Sequence, residues 1–226
     1  MSAAKATVAI DGPAGSGKSS VSLAVARELG LRYVDSGAMY RVVGVLADDT
    51  GIDFADSAAL GALCDRLELV FEESALGLRV LANGRDVSHA IRSAAAAQLA
   101  SKVSVNPVVR ERLVARQRAL AEGGGVVMEG RDIGTVVLPD ATVKIFLVAS
   151  AAERARRRAG DLRARGEAAD EAMIQREIEE RDRRDQQRAH SPLVAAADAL
   201  QVDTTSEPLE TVVARVCALI AAQGNP

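Results

Sequence analysis

The chain has 226 residues, of which 48% are hydrophobic, and a formal net charge of −3. This size and composition predict one α/β domain with room for an inserted subdomain, and the weakly acidic charge argues against a nucleic-acid binder or a membrane-surface protein. No apolar run approaches the ~20 residues of a membrane span. Cys64 and Cys217 lie far apart without metal-site or redox spacing, so we expect reduced, buried thiols in a cytoplasmic protein.

A glycine-rich segment near the N-terminus fits the pattern GxxxxGK[ST] at every fixed position. Its residues are Gly12, Pro13, Ala14, Gly15, Ser16, Gly17, Lys18, Ser19 and Ser20. A strand is predicted at 7–11 and a helix at 20–29, so the loop is expected to hold nucleotide phosphates at a helix N-terminus. In this pattern Lys18 adds a charge near the β- and γ-phosphates, and the Ser19 hydroxyl can ligate Mg²⁺.

Strand and helix patterns then alternate, which is typical of a parallel sheet covered by helices. Further strands are predicted at 31–34, 125–129, 141–148 and 199–203, and a helix at 38–50. Ligands bind at the carboxyl ends of the strands in such sheets. We therefore expect the polar residues at these ends to line one crevice: Asp11, Asp35, Arg131, Asp132 and Ser150.

The stretch from 56 to 121 interrupts the alternation. Its predicted elements are antiparallel strands at 67–71 and 77–82, a tight turn at Asn83-Gly84, and helices at 93–104 and 106–121. We interpret this block as an inserted subdomain on the rim of the crevice.

The stretch from 152 to 188 is densely charged and rich in arginine. Mixed charge at helical spacing is typical of solvated helices with i,i+4 ion pairs, but a closing lid that clamps phosphates has the same composition. Both interpretations stay open for the individual residues. As lid candidates, Arg158 and Arg157 rank ahead of Arg154.

A phosphate loop indicates nucleotide binding without indicating the reaction. A GTPase switch is disfavoured because no Asn precedes a Lys and because Asp132-Ile-Gly134 has the wrong spacing for a DxxG element. A motor or assembly ATPase stays open, since Glu129 ends a hydrophobic strand as a Walker-B carboxylate would. Phosphoryl transfer to a small acceptor is favoured by Ser36, Arg41, Arg131 and Asp132, which offer cations for a phosphate and a carboxylate for a base or sugar.

Five segments carry a resemblance to a known family. They are IDGPAGSGKSS (10–20), YVDSGAMYR (33–41), EGRDIGTVVLPDA (129–141), VKIFLVAS (143–150) and ERDRRDQQRAHSPLVAAADAL (180–200). On these segments the chain resembles, nearly end to end, the bacterial cytidylate kinases of the nucleoside monophosphate kinase superfamily. The resemblance implies transfer of the ATP γ-phosphoryl group to CMP or dCMP with Mg²⁺. It implies small-molecule substrates and neither a nucleic-acid nor a membrane partner.

The resemblance also implies a P-loop three-layer fold with a central five-stranded parallel sheet. In this interpretation the chain is a single kinase domain with its core at 1–37, 122–151 and 189–226. The acceptor-binding region covers 38–121, and the lid with its arginine-rich helices covers 152–188. Since no feature of the sequence demands a dimer, we expect a monomer.

Roles for individual residues follow from the same match. Catalysis would involve Lys18, Arg41, Arg131 and Arg158, and the acceptor nucleotide would contact Ser36, Arg41, Ser101, Arg110, Arg131, Asp132, Arg181, Asp185 and Arg188. The phosphate would be neutralised by Arg41, Arg131 and Arg188, and the ribose contacted by Arg181 and Asp185. Cytosine would be read by Ser101, Arg110 and Asp132.

Without the match, Ser101 and Arg110 look like plain helix-surface residues. Asp35 is expected either to orient Mg²⁺-bound water or the acceptor, or to cap the helix that follows Gly37. The alternative functions are another small-acceptor P-loop kinase, of the UMP, AMP or shikimate type, and a nucleotide-gated interaction protein.

Overall fold

The computed structural model describes residues 6–74, 77–188 and 190–223. It divides into two compact units. The first comprises the described residues of Met1–Tyr33 and Ala121–Pro226, and the second comprises those of Val34–Leu120. The second unit covers nearly the same residues as the region predicted for acceptor binding, 38–121. The finer division into core, acceptor region and lid stays a prediction.

The elements alternate as the sequence predicts. The strands are β1 (Thr7–Asp11), β2 (Arg32–Asp35), β3 (Leu69–Ser74), β4 (Gly77–Ala82), β5 (Arg85–Asp86), β6 (Val126–Gly130), β7 (Val143–Val148) and β8 (Leu200–Asp203). The helices are α1 (Lys18–Leu29), α2 (Ser36–Asp49), α3 (Ser57–Arg66), α4 (Ala94–Val103), α5 (Pro107–Ala121), α6 (Ala151–Ala164), α7 (Glu171–Gln187) and α8 (Leu209–Gln223). A 3₁₀ turn lies at Ala90–Arg92 and a π-helical turn at Ile133–Val137.

A five-stranded parallel sheet with the strand order β2-β6-β1-β7-β8 forms the centre of the fold. The predicted α/β fold class with a five-stranded parallel sheet is therefore confirmed. Strand β1 is flanked by β6 and β7, and its last residue, Asp11, pairs with Gly130 and Phe146. Because these strands are covered by helices, all five residues of β6 are buried. The register brings the carboxyl ends of the central strands level with one another.

The second unit combines an antiparallel sheet, ordered β3-β4-β5, with helices. The predicted tight turn joins β4 to β5, where Asn83 and Gly84 both have positive φ. Helix α2 packs closely on α4 at Gly44, where an added Cβ would lie 2.8 Å from the carbonyl carbon of Leu99. The buried core around this contact includes Met39 and Leu113. This unit thus has a hydrophobic core of its own.

Several predicted boundaries are displaced for identifiable reasons. Helix α2 begins at Ser36 rather than 38, because Asp35 caps it. Strand β3 begins at Leu69 rather than 67, because Leu67 closes α3 with a backbone hydrogen bond to Cys64. Capping contacts at helix ends, from a side chain or from the backbone, can therefore move an element's start by two residues relative to the hydrophobic pattern.

The cysteines are both free thiols. Burial raises the pKa of each thiol, and Cys64 is fully buried as expected, whereas Cys217 is only partly buried. Among the described helices, none combines the length and the apolar character needed to cross a membrane.

Candidate functional site

The glycine loop between β1 and α1 has the backbone of a phosphate cradle. Gly12 has φ +149°, and an added Cβ there would lie 2.1 Å from the carbonyl oxygen of Leu147, so no other residue fits. Gly17 precedes α1 in the left-handed conformation, and no side chain caps the helix. The first N–H groups of α1 consequently remain available for an anion at the positive end of the helix dipole.

Lys18 folds back over this loop and is only 5% exposed. Its Nζ donates to the Pro13 carbonyl oxygen at 2.6 Å and to Ser16 Oγ at 3.4 Å. Burial, followed by repulsion from Arg131, holds the pKa of the Lys18 ammonium well below its usual value. A phosphate beside it would add its negative charge to that of Glu129 and Asp11, and would favour the charged form of Lys18.

Two residues outside the loop hold it in place, and no sequence pattern predicts this role for either of them. Thr204, directly after β8, donates from Oγ1 to the Ser16 carbonyl oxygen at 3.1 Å. Arg154 on α6 donates from Nη1 to the Ala14 carbonyl oxygen at 3.0 Å and to Asp182 Oδ2 at 2.6 Å. Since Arg154 is 6% exposed, it supports the loop from within the protein in this structure.

The other lid candidates differ in their contacts. Arg157 is partly buried and donates hydrogen bonds to Glu153 and to the hydroxyl of Thr204. It thereby helps to position Thr204, which holds the glycine loop. Hydrogen bonds from Arg156 and then Arg157 lower the pKa of Glu153 to about 2. Arg158 is partly buried and makes no hydrogen bond or ion pair with the residues that the structure describes. The ranking of these arginines toward a transferring phosphoryl group stays a prediction.

Asp11 closes β1 and is 5% exposed. Its Oδ1 accepts the N–H of Ile133 at 2.9 Å and its Oδ2 accepts the N–H of Gly134 at 2.8 Å. Burial raises the pKa of Asp11 to about 6, against the lowering effect of these two hydrogen bonds. Although it lies at a strand end as predicted, Asp11 binds the start of the π-helical turn instead of lining a crevice. Asp132, directly before the turn, is also buried.

A cluster of arginines surrounds the carboxylate of Asp185, whose side chain is 5% exposed. Arg131 Nε lies 3.3 Å and Arg181 Nε 3.9 Å from Asp185 Oδ2. Arg188 Nε donates to the Asp185 carbonyl oxygen at 3.3 Å. Four residues predicted to contact the acceptor are thereby brought together in the first unit. Two guanidinium groups beside one carboxylate, with a third on the backbone of the same residue, leave a net positive charge that suits a phosphate.

Glu129, the penultimate residue of β6, is 3% exposed and accepts a hydrogen bond from the Tyr33 hydroxyl. The predicted strand-end residue Ser150 is the N-cap of α6, where its Oγ accepts the N–H of Glu153. Ser150 therefore has a local structural role.

In the second unit, Asp35 and Arg41 form one arrangement. Asp35 Oδ1 accepts the N–H of Ala38 at 2.9 Å, which confirms the N-cap alternative. Its Oδ2 lies 2.7 Å from Arg41 Nη2, so the same carboxylate orients the guanidinium group. Ser36, the first residue of α2, is 4% exposed. The first two turns of α2 therefore carry a buried hydroxyl, from Ser36, and a guanidinium group that Asp35 orients.

Ser101 on α4 and Arg110 on α5 are 7% and 5% exposed. The expectation that they are plain helix-surface residues is wrong, because tertiary packing covers both. The Arg110 guanidinium carbon lies 5.7 Å from the ring centre of Tyr40, a cation–π distance. Tyr40 therefore packs against this arginine, a role that no sequence pattern predicts for it.

No group of three or more His, Cys, Asp and Glu side chains within the described ranges could hold a metal ion. Ser19, exposed as the second residue of α1, offers a single hydroxyl oxygen. A hard cation such as Mg²⁺ accepts oxygen ligands and keeps several waters when phosphates supply the others. The donor set therefore fits Mg²⁺ carried together with a nucleotide, rather than a site built by the protein alone.

Comparison with known proteins gives a consistent answer. The family model described as cytidylate kinase matches residues 8–222. A cytidylate kinase from Pelotomaculum thermopropionicum is 53% identical over 216 residues, which cover 95% of this chain and 96% of the relative. Another, from Geobacillus thermodenitrificans, is 49% identical over 213 residues, covering 94% of this chain and 95% of the relative.

A solved structure of a gluconokinase from Sinorhizobium meliloti 1021 is similar in fold, with a TM-score of 0.52. It is 16% identical in sequence, and the match covers 97% of this chain and 93% of that chain. At this identity the likeness indicates a shared fold and gives no information about the acceptor.

Proposed function

The chain belongs to the cytidylate kinase family, and we propose that it transfers the γ-phosphoryl group of ATP to CMP or dCMP, which yields ADP and CDP or dCDP. The observation that carries the proposal is the match over nearly the whole length of relatives with this name at about half identity. The phosphate loop, with Lys18 inside it and an uncapped helix behind it, supplies the means to bind the donor.

The loop between β1 and α1 is the part of the chain that would bind ATP, the phosphoryl donor. We propose that the residues Gly12, Pro13, Ala14, Gly15, Ser16, Gly17, Lys18, Ser19 and Ser20 surround the ATP phosphates. Lys18 would exchange its contact with the Pro13 carbonyl for a phosphate oxygen. Ser19 would ligate Mg²⁺, which when bound neutralises charge on the phosphates.

On the acceptor side, we propose that residues of the second unit contact the base and the phosphate of CMP. Arg41, oriented by Asp35, would bind the phosphate, and Ser36 would lie beside it. Ser101 and Arg110 would form hydrogen bonds with cytosine. Because both side chains are buried, a base that left either of them without its hydrogen bond would bind with a less favourable free energy. This cost is what would exclude a base with the wrong pattern of donors and acceptors.

In the first unit, we propose that Arg131 and Arg188 bind the acceptor phosphate and that Arg181 and Asp185 contact the ribose. The packing of these arginines around Asp185 fixes their positions, so little reorganisation would be needed when an anion arrives. Asp132 would accept a hydrogen bond from the exocyclic amine of cytosine and would repel the uracil carbonyl at the same place.

Catalysis would then consist of positioning and charge neutralisation, because an acceptor phosphate oxygen needs no strong base to remove a proton. Lys18, Arg41, Arg131 and Arg158 are the cations that we propose for this role. Arg158 is included because it makes no ion pair with the described residues, so none has to break before it binds an anion. We further propose a cytoplasmic monomer; cell fractionation and sedimentation would test these two points.

The direct test measures ADP release from ATP and Mg²⁺ with CMP, dCMP, UMP, AMP, shikimate or no acceptor. Stimulation by CMP or dCMP well above that by UMP and the other acceptors supports the proposal. Equal turnover with UMP would refute the assigned specificity, and turnover indifferent to every acceptor would favour a nucleotide-gated interaction protein.

Asp132→Ala is expected to lower kcat/KM for CMP at least about 100-fold with ATP binding retained. Asp140→Ala, an exposed change in the same segment, is the matched control.

A further inference from the structure

The π-helical turn Ile133–Val137 begins with backbone N–H groups that its own N-cap residue does not satisfy. Asp132 occupies the N-cap position without making a capping hydrogen bond. The cap comes instead from another strand: both carboxylate oxygens of Asp11 accept N–H groups of the turn, from Ile133 at 2.9 Å and from Gly134 at 2.8 Å. Two bonds to one planar carboxylate fix both the position and the direction of the chain at this point.

Asp11 also stands at a particular place along the chain. It is the last residue of β1, and Gly12, the first residue of the phosphate loop, follows it. In the sheet it pairs with Gly130, two residues before Asp132. A short and buried path therefore joins the loop backbone, the Asp11 carboxylate and the segment that carries Asp132.

We infer that Asp11 is a positioning residue, which holds Arg131 and Asp132 in register with the phosphate loop and thereby sets how strongly the enzyme prefers cytosine to uracil. The inference rests on the function proposed above. Asp11 acts through the turn rather than by touching a nucleotide. An amide at this place retains only one acceptor oxygen and turns an NH₂ group toward an N–H, so Asp11→Asn would release one end of the turn.

The decisive experiment compares CMP and UMP as acceptors for the wild type and for Asp11→Asn. The ratio of the two kcat/KM values is expected to fall at least about tenfold, with a higher KM for CMP, because a small displacement of a reading group is costly. Asp56→Asn is the control for a change of carboxylate to amide that keeps its hydrogen bonds, since Asp56 caps α3 by accepting two backbone N–H groups with Oδ1 alone. A variant that loses kcat equally with both acceptors, and so keeps the ratio, would overturn the inference.

Amide hydrogen exchange separates this inference from the function. In the wild type, the amides of Ile133 and Gly134 are expected to exchange at least about 100-fold more slowly than in an unstructured peptide. Exchange at the unstructured rate would overturn the inference even if CMP is the acceptor, and it needs no variant should Asp11→Asn fail to fold. Absence of CMP-dependent ADP release in the wild type would refute the proposed function. In that case, loss of amide protection in Asp11→Asn would still decide whether Asp11 holds the turn.

Discussion

Asp11 gives the fold an unusual dependence of stability on pH. Burial raises the pKa of this carboxyl from its ordinary 3.8 to about 6, so the folded protein binds a proton more readily than the unfolded chain does. Stability contributed by such a group is present at low pH and is lost as the pH rises through about 6. This change of pKa corresponds to about 3 kcal/mol, the approximate cost of keeping Asp11 ionised inside the fold at neutral pH.

The expected size of the effect can be worked out for the window between pH 7 and pH 5. Between pH 7 and pH 5, linkage with these two pKa values gives the wild type about 1.3 kcal/mol of extra unfolding free energy. Asp11→Asn cannot gain it, because its amide does not titrate. Glu153 has a pKa of about 2 and is ionised throughout this window. The charges of Asp132 and Lys18 act on Asp11, and both residues are present in the wild type and in Asp11→Asn. The difference between the two proteins therefore cancels most of what these residues contribute to the pH dependence of unfolding.

Urea denaturation followed by circular dichroism, at pH 7, 6 and 5, measures the difference directly. The unfolding free energy of the wild type minus that of Asp11→Asn is expected to increase steadily as the pH falls, with equal m-values for the two proteins. A difference that stays constant over the window would show that Asp11 is not titrating there. A difference that decreases toward pH 5 would mean that the carboxylate is stabilised in the fold, which would refute the reasoning about its burial.

Three further predictions concern the loop and the helix packing. Lys18→Met is expected to lower kcat/KM at least about 100-fold, because a cation beside the phosphates is lost. The same change is expected to raise the urea midpoint, because burial disfavours the Lys18 charge. Lys102→Met, an exposed change, should alter neither quantity. Gly44→Ala should cost about 1–3 kcal/mol of unfolding free energy because its Cβ would meet the Leu99 backbone. Gly160→Ala in α6 should be neutral or stabilising, because its Cβ would have no described atom within 4 Å apart from its own chain neighbours and helix backbone. Asp182→Ala should cost about 3 kcal/mol by leaving Arg154 buried without its carboxylate, and Glu180→Ala on the same helix provides the exposed control; equal losses in the two variants would contradict a role for the buried pair.

The sequence could predict the strands, the phosphate loop and the N-cap role of Asp35, because each depends on residues that are close in the chain. The N-cap role of Asp35 requires only Ala38, three residues further on. The support of the loop by Thr204 could not be predicted in this way, because its partner Ser16 is 188 residues distant in sequence. No local pattern distinguishes such a threonine from an ordinary residue at the end of a strand.

Burial of polar residues was the other feature that local patterns could not reveal. Ser101 and Arg110 belong to helices whose sequences are compatible with exposure, and they are buried because of tertiary packing, with Arg110 against Tyr40. Similarly, Arg154 belongs to an arginine-rich helix, and only the folded structure separates it from its exposed neighbour Arg156. Composition identified the helix, but three-dimensional contacts were needed to identify the residue that supports the loop.

The costly charges of the first unit point to a common purpose. Burial lowers the pKa of Lys18, and Arg131 adds to the repulsion around its ammonium group. In an unliganded protein such groups reduce stability, since each would be better solvated in the unfolded chain. A bound polyphosphate would supply negative charge next to Lys18 and Arg131, so nucleotide binding should return part of this free energy as stability of the fold. The phosphate loop is thus kept under electrostatic strain that a nucleotide relieves, and this strain favours binding of the donor.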